Sequence, residues 1–380
     1  MKIKTDYNTQ SQVAIHDEVP FKTRQAVIEN LISDELADVK SLGELASQTS
    51  QIATEQQGKI RSLMGEEKYE GFRAEIDAEN REKARILLPP RGPQMSREEL
   101  RQFQTQRNER GLAFLRKLGV ELSDLKALNE AHRNSIEQFI PPSPMRDDQI
   151  VSLILPENVP EDIRLGATKA PAAPAIAWSI YRPPYAGWAW SYSWYSSGFG
   201  VSFDRFLDSN SGLVGSWTYL TDGDAGDSDS AWVDYRTSVG FWYQMPAAGL
   251  LDVWIEGQPA KDRHYISLSD EWGWSDSSVA QRNYLTLKGT AGTTSSGVSL
   301  AEMSWLTESG YTDGHWDNEY LTIGASYWAH LYSDIAFAAG QWVYVEIGNR
   351  NWNYAYANDV STYSFTDFRW YIKSVWIKPS

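Results

Sequence analysis

All seventeen tryptophans of the 380-residue chain lie between Trp178 and Trp376. No other feature restricts the fold as much. Indole is large and mostly apolar, so a segment this rich in it needs surfaces on which to bury it or put it to use. Eighteen of the twenty tyrosines also follow residue 177, giving residues 178–380 42 aromatic side chains, while residues 1–177 have no tryptophan. The chain therefore reads as two dissimilar parts, which its length also permits, since a typical domain holds about 100–200 residues.

The first part is helical in pattern. Val27, Ile28, Leu31, Ile32, Leu36 and Val39 recur at three- and four-residue steps and form one stripe. The polar section Ala46–Gly58 contains no proline and predicts an exposed or frayed continuation. A second apolar run through Tyr69, Phe72, Ile76 and Ile86–Leu88 stops at Pro89-Pro90. Ser96 and Glu99 form a capping box ahead of Leu100, Phe103, Phe114, Leu115 and Leu118, and Ser123 is placed to cap a last helix before Pro141-Pro142. Residues 1–140 thus predict a helical docking or oligomerisation region, either a bundle or a stalk, without the sustained heptads of a coiled coil.

Residues 141–177 are rich in proline and alanine and predict an extended linker, within which the run Ile150–Leu155 has the composition to add a strand to some sheet. From Trp178 the period becomes two. Ala231–Tyr235, Val239–Tyr243, Leu250–Glu256, Tyr284–Leu287, Trp342–Ile347 and Phe368–Ile377 are short β-branched or aromatic runs bounded by Gly, Asp, Ser or Asn. Residues 239–257 and 327–348 echo each other: an aromatic strand, a turn ending Ala-Gly, then a strand closing on Glu, Ile and Gly. They predict two equivalent hairpins. The expected fold is α+β and multidomain: helices first, then an antiparallel, jelly-roll-like β-sandwich over 178–380.

Charge narrows the function. Residues 178–380 carry 11 Lys and Arg against 22 Asp and Glu, and the whole chain is at −15. Such a surface repels phosphate backbones, so nucleic acid is excluded as the expected ligand. The absence of cysteine removes disulfides, thiolate metal sites and Cys nucleophiles together. No secretory h-region and no stretch of about 18 apolar residues is present, which predicts a product made soluble in the cytoplasm, whether it stays there, enters a virion-like particle or leaves by non-classical export.

Three groups of residues offer chemistry. Trp188, Trp190 and Trp194, Trp272 and Trp274 beside Asp270, Trp316 beside Asp317, and Trp352 are flanked by small and polar residues and read as loop-borne aromatics. Indole stacks on the C–H faces of a sugar ring while a neighbouring carboxylate or amide holds its hydroxyls; the same aromatics equally suit subunit contacts. The turn bearing Asp222, Asp224, Asp227 and Asp229 supplies oxygens of the kind Ca²⁺ prefers, but it lacks the Gly and Glu spacing of an EF-hand, and a solvated hairpin tip explains it as well. Asp270, Glu271, Glu302, Glu308, Asp313, Asp317 and Glu319 include carboxylates near aromatics, although nothing in their spacing selects a catalytic pair. His264, His315 and His330 form no HxH or HExxH group, and GxSxG, P-loop and GxGxxG patterns are absent.

The function these features predict is non-catalytic: a carbohydrate- or surface-binding β-sandwich on a helical oligomerising base, as in a fibre, spike or particle subunit, with no required cofactor. One alternative is a purely structural subunit whose aromatics are buried between neighbours. Another is a polysaccharide-acting enzyme using Asp/Glu pairs.

Overall fold

The computed structural model describes residues 18–87, 97–137, 151–164, 177–195, 199–222, 228–268, 277–310, 314–358 and 362–380. Four helices come first: α1 Phe21–Met64, α2 Glu66–Leu87, α3 Arg97–Leu118 and α4 Leu122–Glu137. Gly65, at φ +82°, separates the first two where the pattern alone suggested one helical stretch. Ile60 and Met64 of α1, Phe72 and Ile76 of α2, Leu115 of α3 and Leu125 of α4 close a small bundle core. Inside the bundle Arg107 and Glu79 are both buried and pair at 3.4 Å. The polar middle of α1 is helical without a break, and its Gln56 is buried. Ser123 lies inside α4 rather than before it, while Ser96, Pro89-Pro90 and Pro141-Pro142 are outside the described residues. No helix among the described residues is long and apolar enough to cross a membrane.

A short segment, β1 Val151–Ser152, a 3-10 turn at Pro156–Asn158 and α5 Glu161–Arg164, precedes the remaining strands. These are β2 Ser179–Tyr181, β3 Ala186–Tyr195, β4 Phe199–Asp208, β5 Leu213–Asp222, β6 Ser228–Gln244, β7 Gly249–Leu268, β8 Ser277–Ala291, β9 Thr294–Ser295, β10 Ser299–Gly310, β11 Gly314–Asn318, β12 Tyr327–Phe337, β13 Trp342–Asn358 and β14 Thr362–Pro379. The first sheet runs β1-β10-β8-β13-β6-β3, with β9 on β8; the second runs β11-β7-β14-β5-β4, with β12 on β7 and β2 on β14. Pairing is antiparallel apart from β1 on β10, where Val151 and Ser152 add the expected extra strand opposite Ala301 and Glu302. The protein is therefore mixed, helical in its first half and built of antiparallel sheets in its second. The proline- and alanine-rich stretch 165–176 lies outside the described residues.

The strands are longer than the apolar runs suggest, reaching 20 residues in β7, because the inward-facing side of each changes character midway. In β13, Val343, Val345 and Ile347 join the larger apolar cluster, Asn349, Asn351 and Asn353 follow, and Ala355 and Ala357 join a second cluster. β8 repeats the order with Leu287 and Leu285, then Asn283 and Gln281, then Val279. Between the two sheets, then, a polar belt divides two apolar clusters. Gln281 Nε2 donates to the Tyr265 carbonyl at 2.9 Å and to Ser364 Oγ at 2.8 Å, and Asn353 Nδ2 donates to Thr218 Oγ1 at 3.0 Å. Asp262 is fully buried in the belt; burial alone would raise its pKa, but hydrogen bonding and charge from His264 and the N–H groups of Leu321 and Tyr320 hold it below the usual carboxylate range.

The two echoing segments are equivalent, but they are not hairpins. β6 and β13 belong to the first sheet, β7 and β12 to the second, so each Ala-Gly turn is an arch from one sheet to the other. The arches lie side by side: Met245 N–H donates to the Gln341 carbonyl at 2.9 Å and Gly340 N–H to the Met245 carbonyl at 2.7 Å.

Tryptophan parity follows from this arrangement. Trp370 is completely buried between the sheets, its indole against Gly257, where a Cβ would fall within 1.8 Å of Nε1. Trp242 and Trp342 instead face outward from the first sheet, where Trp242 and Tyr344 are buried beneath Val27 and Leu31 of α1. That seam is tied by Lys288 Nζ to Asp34 Oδ2 at 2.9 Å and Asn30 Nδ2 to Ser295 Oγ at 2.9 Å. It also contains Glu346, accepting from Ser238 Oγ at 3.0 Å, its pKa raised by burial. Farther along β13, His132 of α4 reaches Tyr356, ring centroids 6.0 Å apart. Trp254, Trp328 and Trp376, facing outward from one end of the second sheet, pack beneath Val159 and Ile163 of the short segment.

Candidate functional site

Helices α1 and α4 lie over part of the first sheet's outer face, at Trp242, Tyr344 and Tyr356, and α5 covers one end of the second. Among the described residues the rest of the second sheet's outer face has no such cover. Alternation along β7 places Lys261, Arg263 and Tyr265 there, and alternation along β14 places Tyr363, Phe365, Asp367, Arg369 and Tyr371 beside them. β5 contributes Trp217 and Tyr219 opposite Asp367 and Phe365.

Aromatic rings form a row across this face. Tyr219 meets Tyr363 edge-on at 4.7 Å, Tyr363 meets Tyr265 at 5.1 Å, and Tyr265 meets His315 at 4.7 Å, with Tyr265 Oη and His315 Nδ1 3.1 Å apart. Charged groups beside the row are held in pairs. Arg263 donates Nε and Nη2 to the two oxygens of Asp317 at 2.9 and 2.8 Å, and Arg369 does the same to Asp367 at 3.0 and 2.8 Å. Lys261 Nζ lies 3.0 Å from Glu319 Oε1. The Arg369 guanidinium rests 3.7 Å from the Phe206 ring centroid, and that of Arg263 lies 5.6 Å from Tyr265.

Protonation is fixed by the same contacts. Hydrogen bonds from Arg263 hold the Asp317 carboxyl below its ordinary value, and the guanidinium's own pKa rises in return. Burial pushes the Tyr265 phenol up to about 12 and lowers His315 despite the nearby Asp317 charge. At neutral pH the face therefore presents neutral phenols, ionised carboxylates with unused lone pairs, and guanidinium N–H groups set beside aromatic rings. This combination matches a ligand with C–H faces and many hydroxyls.

Of the residues singled out from sequence, Asp317, His315 and Glu319 are placed on this face. Trp316 alternates inward and packs against the second apolar cluster, because strand β11 turns neighbouring residues to opposite sides. Trp352 is in the middle of β13 rather than in a loop, buried and stacked on Tyr354 at 6.0 Å; the surrounding asparagines that resembled a loop are the belt. Trp188, Trp190 and Trp194 occupy strand β3, an edge of the first sheet, in register with Ser238, Arg236 and Trp232. Asp222 ends β5 and Asp229 sits at the start of β6, in register with Thr362 and Ala357; Asp224, Asp227, Asp270, Trp272 and Trp274 lie outside the described residues. Among the described residues no group of three or more His, Asp or Glu is placed to hold a metal ion.

Sequence reasoning missed Arg263, Tyr265, Tyr363 and Arg369. The available signal was parity: KDRHY and TYSFTDFRWY each alternate a surface set with a buried one. Ser304, His264 and Asp262 also lie within hydrogen-bonding reach of one another, with Ser304 Oγ donating to Asp262 Oδ1 at 2.8 Å, but all three are closed off inside the belt.

No protein-family model matches the chain, and no curated protein matches it. Among solved structures, it is similar over 48% of its length to the enzymatically active domain of bacteriophage CBA120 tailspike protein 4, at 8% identity and a TM-score of 0.13, spanning 18% of that chain. It is similar over 47% to TmCBM61, solved in complex with β-1,4-galactotriose, at 10% identity and TM-score 0.10, spanning 90% of that chain. Over 53% it is similar to the infectious bursal disease virus Gt strain structure, at 12% identity and TM-score 0.11, spanning 42% of that chain. Likenesses this slight leave the site to be read from the chain's own residues.

Proposed function

We propose that the chain is a non-catalytic binding and assembly protein: a jelly-roll-like β-sandwich that presents the outer face of its second sheet to carbohydrate, on a helical base that docks or oligomerises, as in a fibre, spike or particle subunit. The observation that supports the reading is an asymmetry. Trp242 and Tyr344 on the outer face of the first sheet are sealed beneath α1, while the second sheet sets the Tyr219–Tyr363–Tyr265 row beside forked Arg–Asp pairs outside any such cover among the described residues. Rings and fixed donor–acceptor pairs together serve both sides of a sugar. The test is a glycan array probed with the full chain and with its Arg263→Ala/Tyr363→Ala variant. Binding by the parent and loss by a variant of unchanged circular dichroism support the reading; an array blank for both removes it.

A second reading, a structural subunit whose aromatics meet neighbouring copies, is favoured by Trp305, 50% exposed on β10 of the first sheet. Native mass spectrometry of the parent and of Trp305→Ser separates the two: an oligomer that falls apart on this substitution supports the structural subunit.

A further inference from the structure

We infer that the ligand of the second sheet is an uncharged polysaccharide, bound along an internal stretch of its chain rather than at an end. The inference rests on the carbohydrate reading above and adds the ligand's charge and the part of it that is held.

Most of the charge on the face is paired locally. Lys261, Arg263 and Arg369 are each matched by Glu319, Asp317 and Asp367, and a further cation, Lys373, lies 4.9 Å over the Tyr371 ring. An anionic sugar would have to compete with a carboxylate already seated bidentate on each arginine. Beyond them, the edge strand β4 adds the exposed Asp204 and Asp208, in register with Trp217 and Leu213, and the whole chain is at −15. The field over the face thus opposes polyanions, while neutral hydroxyls meet both donors and acceptors.

Extent sets the second half. From Tyr363 to Tyr371 the outward residues of β14 cover about 26 Å, and the strands from β11 to β4 span about 19 Å across. That area holds several sugar rings in succession, with aromatic groups at both ends: the tyrosine row at one, Phe206 under Arg369 and Tyr371 at the other. The described part of the face is the side of a sheet, and α5 bounds it only where it covers Trp254 and Trp376. Along these strands the contacts are laid side by side on the sheet, so they accumulate with the number of rings placed on it.

The test is calorimetric titration of the full chain with neutral gluco-, galacto- and manno-oligosaccharides of one to six units, and with oligogalacturonate of matching length. Affinity for one neutral series is expected to rise at least tenfold from two units to six, with oligogalacturonate bound more weakly. Tyr371→Ala is expected to lower affinity for six units several-fold and to leave two units unchanged, in protein whose urea midpoint matches the parent. A neutral oligosaccharide bound equally at two and six units, or a preference for oligogalacturonate, overturns this inference while leaving the carbohydrate reading in place. No binding to any sugar overturns both.

Discussion

Arg263 on β7 and Asp317 on β11 form a fork across neighbouring strands, Nε to Oδ1 at 2.9 Å and Nη2 to Oδ2 at 2.8 Å. Both side chains are more than a third exposed, so the pair adds little to folding, and replacing Arg263 by Lys is expected to change stability by less than about 1 kcal/mol. The ammonium keeps the charge but not the planar fork or the packing over Tyr265 and Phe365. Glycan affinity is therefore expected to fall about tenfold in Arg263→Lys, roughly 1.4 kcal/mol, a change that titration and a urea curve on the same sample measure together.

His132 gives the helices a pH dependence. Burial, with help from the Lys59 charge, lowers its pKa from 6.5 to about 4. The unfolded chain takes up a proton below about pH 6.5 while the folded one does not, so stability is complete above that pH and drains away down to about pH 4, by ~3 kcal/mol in all. Urea midpoints from pH 7.5 to 4.5 are expected to decline, and His132→Gln to flatten that decline. An equal slope in both proteins would remove His132 as its source.

The seam between α1 and the first sheet depends on a few apolar contacts. Leu31→Ala withdraws a buried side chain from Trp242 and Tyr344 and is expected to cost about 2–4 kcal/mol. Trp242 would then meet water, so a red shift of tryptophan emission should precede global unfolding in a urea titration. A single transition with no early shift would mean that helix and sheet come apart together.

Gln281 is the most connected member of the belt. Its Nε2 donates to the Tyr265 carbonyl and Ser364 Oγ, and its Oε1 lies 3.0 Å from His264 Nδ1. Gln281→Leu fills a similar volume but strands these buried partners, with an expected loss of about 2–4 kcal/mol. The chevron or urea midpoint of that variant, compared with Gln281→Glu at low and neutral pH, reports whether satisfaction or volume is at stake.

How far residues alone led is clearest in β13. Trp342–Ile347 reads as a strand because its inward positions are Val and Ile; the continuation Asn349–Asn353 reads as a loop because inward asparagine normally marks a turn, and only pairing on both sides reveals a continuous strand. The helices were legible from apolar spacing, but their docking on the first sheet was not, since outward Trp242 and Tyr344 look the same in sequence whether a helix or water meets them. Asp317 was found through its tryptophan neighbour, and the neighbour proved to face the other way. Arg263 went unnoticed because its partner is 54 residues distant, a pairing fixed by register and not by any local spacing.

The belt between the two apolar clusters has a mechanical consequence. Alternation alone would let one sheet slide past the other by two residues and still meet apolar with apolar. With Asn349, Asn351 and Asn353 on one side and Ser216, Thr218, Ser364 and Thr366 on the other, any such step carries hydroxyls toward Val345 and Ile347 or amides toward Val214 and Phe368, and breaks several bonds at once. The belt acts as a detent: a load applied along the strands meets a threshold rather than gradual creep.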